Sequence, residues 1–230
     1  VNCYKKDGFT KGILMTTLLS ISQIETPEGQ STLLHDIGWQ QFESILEVLG
    51  EKRRTRIAYL DGVLEIFMPL PEHEKIKVLI NYFVQVLLDE LEIDFEGYGS
   101  TTFKAKAKRA GLEPDDCFYI QNNVAMRGIR MLDMAIDPPP DLAIEVDVTS
   151  KTKLDVYLVL GVPELWLYDK NLKIYILSNG EYLESEFSPT FGDIPVRDII
   201  SQFLELSLNE GRSTAMRAFR AWMQENLKKM

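Results

Sequence analysis

Three consecutive prolines, Pro138-Pro139-Pro140, lead into Asp141-Leu142-Ala143-Ile144-Glu145-Val146-Asp147-Val148, and this segment constrains the fold more than any other. Its apolar run is too short for a buried helix and is bounded by turn formers, so it reads as a strand. A strand apolar on both faces belongs in the middle of a sheet covered on both sides by helices. Residues two apart in an extended chain share a face, so Glu145 and Asp147 point the same way, together with Asp141. The chain therefore has to bring carboxylates into a sheet that is otherwise built to exclude water.

The neighbouring patterns supply the layers. Trp39, Phe42, Ile45, Leu46 and Leu49 recur at helical spacing and Gly50 follows as a stop. Arg56–Leu60 and Val63–Met68 flank Asp61-Gly62, a pair that tolerates positive φ and so predicts a two-residue hairpin. Glu72–Leu91 carries Ile76, Leu79, Ile80, Phe83, Val84, Leu87, Leu88 and Leu91 on one stripe, with acidic residues in its first turn. Short strands are expected around Thr101–Lys104 and Cys117–Ile120. Lys151–Leu160 reads as a helix closed by Gly161, and Glu164–Tyr168 with Lys173–Leu177 as a hairpin, which makes strand, helix, strand a right-handed crossover. Two helices, Val196–Leu206 and Ser213–Leu227, finish the chain. The face of the last one, with Met216, Phe219, Arg220, Trp222 and Met223, suits packing on the core or on another subunit, and a homodimer or higher homo-oligomer is the expected assembly. Residues 1–35, polar with a turn-like Pro27-Glu28-Gly29, are expected to be peripheral, and 36–230 to form a single α/β domain.

Composition narrows the function classes. Hydrophobic residues make up 45% and charged residues 26% of 230, which is ordinary for a chain that buries a full core. The apolar stretch Val78–Leu88 is interrupted by Asn81 and Gln85, so no membrane span is expected. Met15–Ile24 lacks a following small-residue cleavage site, and Cys3 and Cys117 are far apart, so a cytoplasmic, reducing location without a disulfide framework is expected. A net charge of −10 excludes a protein that holds DNA through a broad basic face. Local basic clusters remain: Lys104, Lys106, Lys108 and Arg109, or Lys52, Arg53, Arg54 and Arg56. Solvated loop or strand faces are the alternative for both.

No glycine-rich phosphate loop, Cys-x-x-Cys pair or Gly-x-Ser-x-Gly elbow is present, and the histidines are His35 and His73. The acids remain. Glu113-Pro114-Asp115-Asp116 stands immediately before the strand at Cys117, and the acids of the central strand follow. Like charges buried side by side cost several kcal/mol, by order of magnitude, unless a cation compensates. Oxygen-only ligands suit Mg²⁺ or Mn²⁺, which keep waters and substrate phosphate oxygens in their other positions. Such an ion activates water and stabilises a phosphoryl transition state. Lys153, at the start of the following helix, is placed to orient the attacking water or to neutralise developing charge; its alternative is a solvent-facing helix lysine.

Tyr59-Leu60-Asp61-Gly62-Val63-Leu64-Glu65-Ile66, Pro71-Glu72-His73-Glu74, Glu113-Pro114-Asp115, Pro140-Asp141-Leu142-Ala143-Ile144-Glu145-Val146 and Gly161-Val162-Pro163-Glu164-Leu165-Trp166 occur in that order. Together they resemble the Uma family of putative restriction endonucleases, formerly a domain of unknown function, over about Gly38 to Leu208. The resemblance implies the restriction-endonuclease-like PD-(D/E)XK core, a mixed β-sheet flanked by α-helices, here with an N-terminal helix and β-hairpin. It implies a Mg²⁺-dependent endonuclease acting on DNA. By position, Asp115 becomes the proline-aspartate metal ligand and Glu145 the acidic metal ligand of the (D/E)XK element. Asp147 stands where the superfamily has lysine, and Lys153, four residues before Tyr157, takes that place. Glu74 matches a first-helix glutamate that approaches the metal.

Other readings stay open. Asp115 also fits a strand cap, Glu74 a helix-dipole partner, and His73 a cap or partly exposed side chain. Asp141 is an auxiliary candidate, and Trp166, Tyr168 and Trp222 fit core or interface positions better than base-stacking ones. The competing functions are a catalytically inactive assembly or binding protein on the same scaffold, and hydrolysis of another phosphate ester.

Overall fold

The computed structural model describes residues 21–50, 53–146 and 151–227. The expected Asp147 carboxylate, Lys52 and Cys3 lie outside the described residues.

Two sheets form. The first begins with an edge strand, β1 (Ser31–Leu34), followed by helix α1 (Trp39–Leu49) and the hairpin of β2 (Arg56–Leu60) and β3 (Val63–Phe67). Asp61 and Gly62 turn this hairpin at φ 43° and 96°, which is why the Asp-Gly pair sits there. Two further strands, β5 (Phe103–Ala105) and β6 (Ala110–Leu112), complete an antiparallel sheet in the order β1-β3-β2-β6-β5. Gly111 faces Tyr59 across the β2–β6 ladder, and a Cβ there would lie 2.7 Å from the Phe42 ring, so α1 closes on the sheet only over glycine.

Helix α2 (Pro71–Glu90) follows, with proline in its first turn, where the missing N–H costs nothing, and with Glu72 and Glu74 near its positive end. The second sheet then assembles from β4 (Glu96–Gly97), β7 (Asp116–Tyr119), β8 (Leu142–Val146), β9 (Glu164–Asp169), β10 (Asn171–Ser178) and β11 (Glu181–Ser185). Its order is β11-β10-β9-β8-β7-β4, and it is mixed, because β8 and β9 run parallel while the other pairs are antiparallel. Between β7 and β8 lies a short helix, α3 (Asn123–Met126), and between β8 and β9 lies α4 (Lys151–Leu160), ended by Gly161 at φ 84°. Helices α5 (Val196–Glu210) and α6 (Arg212–Leu227) close the described chain.

The mixed sheet flanked by helices is present, and the hairpin is part of a separate five-stranded sheet beside it. The strands that complete that first sheet, β1, β5 and β6, are three or four residues long, and of these only β5 overlaps a strand expected from the sequence. Helix α4 lies between the sheets: Val156, Tyr157 and Leu160 bury with Ala58 and Leu112 of the first and with Cys117, Tyr119, Ala143 and Leu165 of the second. The opposite face of the mixed sheet, with Phe118, Leu142, Ile144, Trp166 and Ile174, buries under α2, α5 and α6. No helix among the described residues is long and apolar enough to cross a membrane.

Candidate active site

Antiparallel pairing of β7 with β8 sets Asp116 opposite Ile144 and Cys117 opposite Ala143. One step further along the same register, Asp115 faces Glu145, and directly opposed residues share a sheet face. That face is the one covered by α4. Asp115 is 1% exposed and Glu145 is fully buried, so the two like charges require compensation.

Compensation comes from two helices. Lys153 and Tyr157, one turn apart on α4, both reach Glu145: the Lys153 ammonium donates to Oε2 at 3.0 Å and the Tyr157 hydroxyl to Oε1 at 2.5 Å. Lys153 is itself 5% exposed and its Nζ lies 5.6 Å from the centre of the Phe67 ring. On the other side, Asp115 Oδ2 accepts the Val146 backbone N–H at 2.8 Å and stands 3.0 Å from His73 Nε2, from the first turn of α2. His73 Nε2 also lies 2.9 Å from the Val146 carbonyl oxygen. Both of its neighbours are acceptors, so Nε2 carries the proton.

The electrostatics separate the two acids. Burial pushes the Glu145 carboxyl up, against the pull of Lys153, and the charge of Asp115 adds to the rise. Burial acts upward on Asp115 too, but the His73 hydrogen bond, the Lys153 charge and the Val146 N–H together hold it well below the usual carboxylate range. Lys153 loses ionisation to burial and regains more from Glu145 and Asp115, so it stays protonated. Burial and the Glu145 charge raise Tyr157, which keeps its hydroxyl a donor.

Around this centre lies a charged rim from the first sheet and α2. Arg56 and Phe67 are partners across the β2–β3 ladder, and Ala58 and Glu65 are the next pair on that face. Glu65 is buried and accepts the Ser31 hydroxyl at 2.6 Å. Arg56 Nη2 meets Glu74 Oε1 at 3.1 Å, and its Nε stands 4.0 Å from Asp115 Oδ1. Glu74 also pairs with Lys77 at 2.6 Å.

The fold thus brings Asp115, Glu145 and Lys153 together. Glu74 stays at the rim, with its side chain 39% exposed, and connects to the acids through Arg56. Two of the alternatives left open by the sequence fall. Lys153 is buried against Glu145, not solvent-facing, because α4 runs between two sheets; His73 is buried against Asp115, not a partly exposed cap, because the first turn of α2 is covered by β8 and β3. Tyr157 was not expected as a site residue, although its one-turn spacing from Lys153 was the signal, and Arg56 was expected only as part of a local basic cluster. Asp116, next to Asp115, points to the other face and accepts from Asn81 of α2, while burial raises it. Asp141 is occupied by the Ile120 and Asn122 backbone N–H groups at 2.7 and 3.1 Å, holding the loop after β7. Lys104, Lys106 and Lys108 line a cavity of 750 Å³ with Trp39, and Arg53 pairs with buried Glu113. Trp166 and Tyr168 are core residues, and Trp222 packs against the same core.

Among the described residues, no group of three or more His, Cys, Asp or Glu side chains is arranged to hold a metal ion. The carboxylates that face each other among the described residues, Asp115 and Glu145, fit an ion that takes one or two of them and fills its shell with water and phosphate oxygens. Asp115 Oδ1 supports that fit: it is buried and without a hydrogen-bond partner. Glu145 has both oxygens engaged, and an ion would have to share or displace the Lys153 contact.

A crystal structure at 1.96 Å of a putative nuclease belonging to DUF820, from Anabaena variabilis ATCC 29413, is similar at 16% identity and a TM-score of 0.44, covering 59% of this chain and 82% of that one. A search of curated proteins finds no match. The family model described as Uma2, putative restriction endonuclease, matches residues 39–209, a span that contains every one of the acids, the lysine and the histidine just described. The protein belongs to the Uma2 family of putative restriction endonucleases.

Proposed function

We propose that this protein is a divalent-metal-dependent endonuclease that hydrolyses phosphodiester bonds in DNA. The observation that carries the proposal is the pair of buried carboxylates on neighbouring strands, Asp115 and Glu145, with a buried ammonium and a tyrosine hydroxyl held against one of them. A structural ion pair does not need a second buried acid whose Oδ1 is left without a partner.

Asp115 and Glu145 are the residues that would hold Mg²⁺ or Mn²⁺; bound there, the ion supplies an activated water and positive charge for the phosphate. Lys153 orients the attacking water and offsets charge as it develops, because its ammonium is desolvated and held by Glu145. Tyr157 holds the Glu145 carboxylate in one rotamer, and His73 does the same for Asp115. In the reaction water oxygen forms a bond to phosphorus, one ester P–O bond breaks, and the leaving oxygen takes a proton. Local cations are enough for a protein of net charge −10 if Lys153 and a bound ion put positive charge directly at the phosphate. Cutting both strands of a duplex calls for two such sites, so the working assembly is a homodimer or higher homo-oligomer, and a reducing cytoplasm suits the buried free thiol of Cys117.

The test is nicking of supercoiled DNA by purified protein in Mg²⁺ or Mn²⁺. Glu145→Ala lowers the rate by about a thousandfold. Cleavage that persists in chelator, or no cleavage with any divalent ion, sinks the proposal. The second reading, a non-catalytic assembly protein on the same scaffold, is favoured by the complete engagement of Glu145 by its own chain. Calorimetry decides: a folded, stable oligomer that takes up neither Mg²⁺ nor Mn²⁺ supports that reading.

A further inference from the structure

Buried polar side-chain atoms almost always find a partner, so those that do not mark places where something else binds. Three belong to residues of the candidate site and its rim: Asp115 Oδ1, Arg56 Nε and His73 Nδ1 are each buried without a hydrogen-bond partner. Arg56 Nε and Asp115 Oδ1 lie 4.0 Å apart, as do His73 Nδ1 and Glu74 Oε1, too far for direct hydrogen bonds. Arg56 has spent Nη2 on Glu74 and holds Nε toward Asp115.

We propose that Arg56 grips a non-bridging oxygen of the phosphodiester bound at Asp115 and Glu145, and that Glu74 is the positioning residue that aims it. This rests on the nuclease reading and names the residue that recognises its substrate. With a cation held at Asp115 Oδ1, a guanidinium 4.0 Å from that oxygen faces a like charge and needs an anion shared between them. A phosphate oxygen meets that need, because it ligates the cation and accepts the Nε–H together. Arg56 is also fixed where a phosphate-gripping arginine has to be. It sits on a strand, its side chain is 13% exposed, and it lies across the ladder from Phe67, whose ring carries Lys153. Glu74 then acts as the carboxylate that holds the guanidinium plane, and the half-exposure of its side chain leaves the mouth of the site open to a chain of phosphates.

The experiment is equilibrium binding of a short labelled DNA duplex in Ca²⁺ across a range of salt, with Mn²⁺ uptake followed by calorimetry on the same proteins. Arg56→Ala weakens DNA binding by about tenfold or more and lowers the slope of log affinity against log salt by about one, the loss of one phosphate contact. Its Mn²⁺ affinity is unchanged or higher, which shows the fold and the carboxylates intact. Arg56→Lys keeps the salt slope but loses affinity, since an ammonium keeps the charge without the fork. Glu74→Gln weakens binding by less than Arg56→Ala. An unchanged affinity and slope in Arg56→Ala overturns the proposal, as does a parallel loss of Mn²⁺ uptake in both Arg56 variants, or a wild-type protein that binds no DNA. The two readings fail separately: Arg56-dependent binding without any cleavage removes the hydrolysis and leaves the grip standing, whereas cleavage with Arg56-independent binding removes only the grip.

Discussion

The two faces of β7 and β8 are built from alternate positions in residues 115–119 and Leu142–Val146, and they have opposite properties. Toward α2, α5 and α6 the strands show Phe118, Leu142, Ile144 and Val146, an apolar surface whose one acid, Asp116, is capped by Asn81 and its own chain. Toward α4 they show Asp115, Cys117, Tyr119, Ala143 and Glu145, where two acids are buried with a lysine, a histidine and a tyrosine hydroxyl. Adjacent aspartates illustrate the difference. Burial raises Asp116, whereas in Asp115, more deeply buried still, the upward push of burial is outweighed by His73, Lys153 and the Val146 N–H. A period of two thus lets one strand carry the core and the candidate site at once, and a one-residue slip in register would exchange them.

The comparison breaks most clearly under paired substitutions. On the α4 face, Glu145→Ala removes about a thousandfold of cleavage while leaving the circular dichroism of the fold in place. On the other face, Phe118→Ala empties a fully buried ring site and lowers unfolding free energy by about 3–5 kcal/mol, without changing the metal dependence of the folded fraction. Equal loss of metal-dependent cleavage per folded molecule from both would mean that the faces are not specialised.

Smaller changes sharpen the picture. Tyr157→Phe removes one hydrogen bond to a buried carboxylate and costs about 1.5–3 kcal/mol in urea unfolding, with a loss of cleavage of about tenfold because Glu145 is free to turn. A Tyr157→Phe protein as active as wild type would show that Lys153 alone fixes Glu145. The smallest effect is on pH dependence. His73 is raised above 6.5 because, although burial acts downward, Asp115 outweighs it; its contribution to stability is full below pH 6.5 and fades as pH rises through its folded value. Asp115 is lowered below 3.8, so its contribution is present above that pH and is lost as pH falls through its folded value. Metal-free protein should therefore draw most stability from this pair between pH 3.8 and 6.5. His73→Gln should flatten the alkaline decline, measured by urea unfolding across pH, and a decline that persists would assign it to another group.

Much of this was legible in the chain. The hairpin at Asp61-Gly62, the stop at Gly50, the stripe of α2 and the strand of β8 all follow local rules, and the structure places them as those rules require. The meeting of Asp115 with Glu145 was implied by the family resemblance and not by local rules, because it depends on the long-range pairing of β7 with β8. Strands β6 and β11 left little trace, because Ala110–Leu112 is short and contains the glycine on which Phe42 lies, and Glu181–Ser185 is largely exposed at a sheet edge. His73, Arg56 and Tyr157 were not selected as site residues, because each looks ordinary in its own element.

Periodicity, turn chemistry and the placing of acids in an apolar strand by themselves determined which elements form and which face of β8 carries charge. What only the tertiary structure decided is what neutralises that charge: a helix between two sheets delivers Lys153 and Tyr157, the first turn of α2 delivers His73, and the first sheet delivers Arg56. Local sequence encodes secondary structure because its forces act over a few residues. The partners of a buried charge are chosen by long-range packing, and only there does the low dielectric make the choice matter.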